Sequence, residues 1–175
     1  MRIQRLALPL VFAAALAATP AAQALDWRWS YAAGTDVQAS GTFVTADVAD
    51  AQGWYQITGI AGERNGVAIT GLQPTGTWIP GNEPFAVDNL VRIDGTQLTG
   101  NGFGFTTADG NAANPFFADW IPGYLEFHTE GPNGIHPTEL DITFSAHVSA
   151  VPEPAEAALL ASGLLALGWM RRRRG

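Results

Sequence analysis

The nine residues Leu140-Asp141-Ile142-Thr143-Phe144-Ser145-Ala146-His147-Val148 decide how the central part of this chain folds. Apolar side chains alternate with polar ones along the whole stretch. Because successive side chains of a β-strand point to opposite faces, the alternation predicts a strand with its apolar face turned to a core. The polar face is expected to meet solvent.

The same period of two recurs, more briefly, at residues 124–130. There Leu125 and Phe127 are expected to face inward, and Glu126, His128 and Glu130 outward. Alternation also places Trp27, Trp29 and Tyr31 on one face, and Val87, Val91 and Ile93 on another. We expect one shared core to bury Leu125, Phe127, Leu140, Ile142, Phe144 and Val148.

Outside these stretches, glycine, asparagine and aspartate punctuate short apolar runs, which is typical of an all-β domain. Further strands are expected at residues 41–46, 54–60, 67–72 and 97–105. Asn65-Gly66 between apolar runs indicates a β-hairpin. The sequence therefore predicts a sandwich or barrel-like domain of about eight antiparallel strands over residues 25–150.

The charge of this domain excludes several classes of partner. Its three arginines and fourteen carboxylates give residues 25–150 a formal charge of −11, and the chain has no lysine. Nucleic acid and anionic lipid attract basic patches, so neither is an expected partner. Because the chain has no cysteine, disulfides, thiolate catalysis and cysteine-bound zinc are excluded.

No catalytic motif stands out in the domain. His128, His136 and His147 show no metal-ligand spacing, and no G-x-S-x-G motif occurs. Glu126 and Glu130 would lie about 13 Å apart along one strand, too far for a glycosidase pair. We assign no catalytic or metal-binding residue, although a triad or a carboxylate pair assembled across strands stays open.

Calcium is the one cofactor that the composition suggests. Acid and amide oxygens occur together at residues 82–83, 88–89 and 109–111, in glycine-containing segments. The same residue types also form turns for conformational reasons, and no EF-hand loop is present. The turn interpretation is favoured.

Aromatic residues are frequent between positions 103 and 124, where the chain contains Phe103, Phe105, Phe116, Phe117, Trp120 and Tyr124. Aromatic side chains are the main apolar material of a small β domain, so a core role is favoured. A sugar-binding platform of exposed rings is the alternative.

Both ends of the chain carry targeting patterns. Residues 1–24 combine Arg2 and Arg5, an apolar stretch and the site Ala22-Gln23-Ala24, which predicts a signal peptide cleaved before Leu25. Residues 151–175 contain Pro152-Glu153-Pro154, then a mostly apolar run at 155–170, which as a helix would be about 24 Å long. The final arginines, Arg171, Arg172, Arg173 and Arg174, should stay in the cytoplasm and stop a transmembrane helix.

This tail resembles the PEP-CTERM sorting signal of Gram-negative bacteria. The domain resembles small exported proteins that carry the same tail, for example in Trp54-Tyr55-Gln56-Ile57-Thr58 and Gly102-Phe103-Gly104-Phe105. The tail's resemblance implies processing by exosortase at the inner membrane, then release to the cell surface or extracellular matrix, in bacteria that make exopolysaccharide and biofilm. Two functions fit this setting. One is a non-enzymatic surface or matrix protein, and the other is a secreted carbohydrate-binding module or hydrolase that acts on extracellular polysaccharide.

Overall fold

A computed structural model describes residues 24–149 and, beyond them, Gly163 alone. The sorting motif, the predicted transmembrane helix except Gly163, and the signal peptide except Ala24 lie outside these residues. Within residues 24–149 the chain forms nine strands: β1 (Leu25–Ala33), β2 (Val37–Thr45), β3 (Tyr55–Arg64), β4 (Val67–Leu72), β5 (Leu90–Val91), β6 (Phe105–Thr107), β7 (Ala112–Ala118), β8 (Gly123–Glu130) and β9 (Ile135–Val148). No helix of the described residues is long and apolar enough to cross a membrane.

Eight of these strands close into an antiparallel barrel. Their order is β2-β1-β9-β8-β7-β6-β4-β3, and pairing of β3 with β2 completes the ring. The short strand β5 adds to β3 outside the ring. The all-β prediction with about eight antiparallel strands is confirmed, and the sheet closes as a barrel. The predicted hairpin is also confirmed, since Asn65 and Gly66 take the positive φ angles of 50° and 78° between β3 and β4.

Aromatic side chains fill the barrel. Trp27, Trp29 and Tyr31 of β1 are each at most 3% exposed, as their alternation predicted. The Phe103 ring lies 4.9 Å from the Phe43 ring and 5.6 Å from the Trp29 ring, measured between centroids. Edge-on contacts of this kind add stability beyond the area they bury.

The connection between β4 and β6, residues 73–104, contributes part of this core. Phe103 enters the barrel from it, although residues 97–104 do not form the predicted strand. Gly102 has a φ of 60°, and a Cβ atom there would lie 1.9 Å from the Pro115 carbonyl oxygen. Only glycine allows the connection to approach β7 this closely.

Strand β9 confirms most of its predicted inner face, since Ile142, Phe144 and Ala146 are all buried. The prediction for Leu140 is wrong, because this side chain is 37% exposed. Strand β1 pairs only with residues 143–148 of β9, so the first part of β9 is bordered by β8 alone. Residues 135–142 of β9 extend beyond the end of β1, so β1 does not help to cover Leu140.

Over residues 125–128 the two faces of β8 are the reverse of the prediction, whereas Glu130 is exposed as expected. Glu126 is fully buried, whereas Leu125 and Phe127 pack with Phe116 in a small cluster outside the main core. Of the six residues expected in one core, three belong to the main core and two to this outer cluster, and Leu140 belongs to neither. Residue Ile93 is also misassigned, since it is 50% exposed.

Candidate functional site

A groove of about 430 Å³ lies on the outside of the barrel, where β7, β8 and β9 meet the β4–β6 connection. The strand register places Asn114 opposite Phe127, and Phe127 opposite Glu139, in one row across the three strands. We call this feature the aromatic groove. Its lining residues are Asn82, Phe85, Gly100, Asn101, Asn114, Phe116, Trp120, Phe127 and Glu139.

Two large aromatic side chains of the groove are open to solvent. Phe85 and Trp120 are each 65% exposed. The buried Phe116 ring packs against the Trp120 ring, with 6.1 Å between the two centroids. Exposed aromatic rings held in place by packed neighbours are a common feature of binding surfaces.

The polar side of the groove is held by a network of amides. Asn114 is 2% exposed, and its Nδ2 donates to the carbonyl oxygens of Asn101 and Phe103, each at 3.0 Å. Its Oδ1 accepts a 3.1 Å hydrogen bond from Nδ2 of Asn82. Oδ1 of Asn82 accepts no hydrogen bond among the described residues, and Asn82 is 7% exposed. The amides are therefore fixed before any ligand arrives.

A second polar cluster lies inside the barrel, around Glu126. The Arg64 guanidinium binds this carboxylate through Nε–Oε1 at 2.6 Å and Nη2–Oε2 at 3.1 Å. The Tyr31 hydroxyl donates to Oε1 at 2.7 Å. Burial, and then the neighbouring Glu126, raise the pKa of Tyr31 well above its ordinary value. Since both carboxylate oxygens have partners, the cluster is a buried structural ion pair, the kind that is destabilising to break.

The histidines are dispersed over the barrel. His128 is half-buried on the Glu126 side of β8, not on the outer face as predicted, and its buried Nε2 has no hydrogen-bond partner among the described residues. Burial, and then the Arg64 charge, lower the pKa of His128. His136 lies 2.9 Å from Glu130 through its Nδ1, in an exposed pair, and His147 is exposed as expected.

The oxygen-rich segments considered for calcium have local roles. The Asp88 carboxylate accepts hydrogen bonds from the Thr99 hydroxyl at 2.8 and 2.7 Å, and burial raises its pKa. Asn89 is fully buried and holds residues 73 and 104, while Asp109 accepts from Thr107 at 2.6 Å. Within residues 24–149, no group of three or more histidine, aspartate or glutamate side chains could hold a metal ion.

The aromatic residues of positions 103–124 divide between the two interpretations of the sequence. Phe103 and Phe105 are fully buried, so the core role is confirmed for them, whereas Trp120 projects into the groove. Of the glycines beside them, Gly102 approaches Pro115 and Phe116, and Gly104 approaches the side chains of the connection. Phe85, Asn82 and Glu139 reach the groove from distant parts of the sequence, so only knowledge of the strand register could have grouped them.

Of the predicted sorting and cleavage residues, the structure describes only Ala24 and Leu25. Leu25 is the first residue of β1 and Ala24 precedes it. Ala22, Pro152, Glu153, Pro154 and Arg171 to Arg174 lie outside the described residues. Comparison with protein-family models, with curated proteins and with solved structures finds no match.

Proposed function

We propose that this protein is an exported, non-enzymatic surface or matrix protein whose barrel binds extracellular polysaccharide in the aromatic groove. The observation that carries the proposal is the pair of exposed rings, Phe85 and Trp120, beside the fixed amides of Asn82 and Asn114. A sugar ring has an apolar face of C–H groups and a rim of hydroxyls. Aromatic rings suit the face, and amide and carboxylate groups suit the rim.

The groove is better suited to binding than to hydrolysis. Glycoside hydrolases use a pair of carboxyl groups flanking the bond to be cleaved. Glu139 is the one carboxylate among the residues that line the groove. The buried Glu126 is bonded to Arg64 and Tyr31 and lies on the other face of β8. These features support the non-enzymatic alternative.

A binding test follows from the two exposed tryptophans. Trp120 lines the groove, whereas Trp78, which is 45% exposed, does not. We expect the full chain, in mild detergent, to be retarded in affinity gels containing hydroxyethyl cellulose or dextran. Loss of a stacking ring costs about 1.4 kcal/mol, so Trp120→Ala should weaken binding roughly tenfold and Trp78→Ala should leave it unchanged. Failure of the wild-type chain to bind either polymer would contradict the proposal.

The route to the surface is a separate part of the proposal. It is supported by the order of the tail: Pro152-Glu153-Pro154, the apolar run and the terminal arginines. Since proline disfavours helix and arginine resists crossing a membrane, we expect the triplet to lie before the helix and the arginines to stay in the cytoplasm. We expect a reporter fused to residues 151–175 to be trimmed in the host and left intact in a strain without exosortase. Equal trimming in both strains, or in neither, would reduce the tail to an anchor.

A further inference from the structure

We infer that the aromatic groove selects uncharged polysaccharide and discriminates against chains that carry carboxylate, sulfate or phosphate groups. This inference rests on the proposed function and names the substrate class of the same site. It follows from the charges that surround the groove. Glu139 is its charged lining residue, and the remaining lining side chains are aromatic rings and neutral amides.

None of the three arginines of the domain is among the residues that line the groove, although Arg92 lines a neighbouring cavity that shares Gly100 with it. Arg64 is committed to Glu126 inside the barrel. The Arg92 guanidinium lies over the Trp54 ring, 4.5 Å from its centroid. Arg28 is on the outer face of β1, where it pairs in register with His147 of β9. An anionic sugar in the groove would therefore meet a carboxylate, with no cation among the lining residues to compensate it.

The charge of the whole domain acts in the same direction. Residues 25–150 carry a formal charge of −11, so an anionic chain is repelled before it reaches the groove. Repulsion between exposed charges is screened over about 10 Å at 0.1 M salt. The discrimination should therefore be strongest at low ionic strength. Binding of a neutral chain uses stacking and hydrogen bonds, so it should change little with salt.

Two matched pairs of polymers test the inference. Hydroxyethyl cellulose and carboxymethyl cellulose share one backbone and differ in charge, as do dextran and dextran sulfate. Affinity gels with the full chain should show stronger retardation by the neutral member of whichever pair is bound. One like-charge contact of about 1 kcal/mol corresponds to roughly fivefold in affinity at low salt, and the difference should shrink in 0.5 M salt.

A charge-matched control variant separates the effect of the groove carboxylate from the effect of the overall charge of the domain. Glu139→Gln should raise the ratio of anionic to neutral polymer binding about fivefold at low salt. Glu63→Gln removes the same charge from an exposed position of β3 outside the groove and should leave that ratio unchanged. Equal or tighter binding of the anionic polymer by the wild-type chain would overturn the selectivity and leave the proposed function standing. Binding of none of the four polymers would overturn both.

Discussion

The buried ion pair inside the barrel gives the sharpest test of the fold. Replacing Glu126 by glutamine keeps the shape of the side chain but removes the charge that faces Arg64. The Arg64 side chain is 12% exposed, so water can compensate the guanidinium only in part. Removing one partner of a buried pair costs roughly 3 to 5 kcal/mol. Since glutamine retains one acceptor oxygen for Tyr31 or Arg64, we expect a loss near the lower end, about 3 kcal/mol.

Glu130 provides the matched control on the same strand. Its ion pair with His136 is exposed, at 51% for the glutamate side chain and 73% for the histidine. Exposed pairs contribute roughly 0 to 1 kcal/mol, so Glu130→Gln should be close to neutral. Urea unfolding of residues 25–149, followed by tryptophan fluorescence and linear extrapolation, measures both variants. A loss for Glu126→Gln no larger than that for Glu130→Gln would refute the buried pair.

A double variant distinguishes a broken pair from a replaced one. Arg64→Met with Glu126→Leu removes both charges and leaves apolar side chains of similar size. Replacement of a buried pair by packed apolar residues is often neutral or stabilising by about 1 to 4 kcal/mol. In the double variant the Tyr31 hydroxyl also loses its acceptor, so we expect a cost of about 1 kcal/mol, well below that of Glu126→Gln. A double variant as unstable as Glu126→Gln would show that the cost comes from distorted packing and not from the uncompensated charge.

Three further predictions concern the core, the pH response and export. Phe144 is 6% exposed and contacts the Phe103 and Tyr124 rings. Phe144→Ala should therefore lower the free energy of unfolding by about 3 to 5 kcal/mol in the same assay. A loss below about 1 kcal/mol would contradict its burial. The lowered pKa of His128 means that the barrel favours the neutral imidazole. Its contribution to stability is therefore present above the ordinary histidine pKa and is lost as the pH falls through the folded value. Unfolding between pH 7 and 5 should show a decline in stability that His128→Gln reduces, and an unchanged decline in this variant would contradict the prediction. N-terminal sequencing of the exported protein should begin at Leu25, and a start at Met1 would contradict signal cleavage.

The alternating pattern was sufficient to predict the strands whose two faces differ in polarity. Trp27, Trp29, Ile142 and Phe144 were placed correctly because their polar neighbours are truly in solvent. The pattern failed at Glu126, because a carboxylate is assigned to solvent unless its partner is known. That partner, Arg64, lies 62 positions away in the sequence, and only closure of the barrel brings the two together.

The groove was predictable only in fragments. The aromatic stretch pointed to Phe116 and Trp120, but not to which ring would be exposed. Strand β7 was not predicted, because it is buried on both faces and does not alternate in polarity. Without β7 there was no register to align Asn114 with Phe127 and Glu139. Long-range pairing, rather than local preference, determines the site.

An NMR titration that follows the indole N–H resonances of the five tryptophans between residues 25 and 149 tests the binding site most directly. Trp27 and Trp29 are buried in the core, Trp54 contacts Arg92, Trp78 is exposed outside the groove, and Trp120 lines the groove. During titration with a neutral oligosaccharide cut from the polymer that binds more tightly, we expect the Trp120 signal to shift and saturate while the signals of the other four tryptophans stay in place. Saturable binding in which Trp78 shifts and Trp120 does not, or in which no tryptophan responds, would contradict the assignment of the groove as the carbohydrate site.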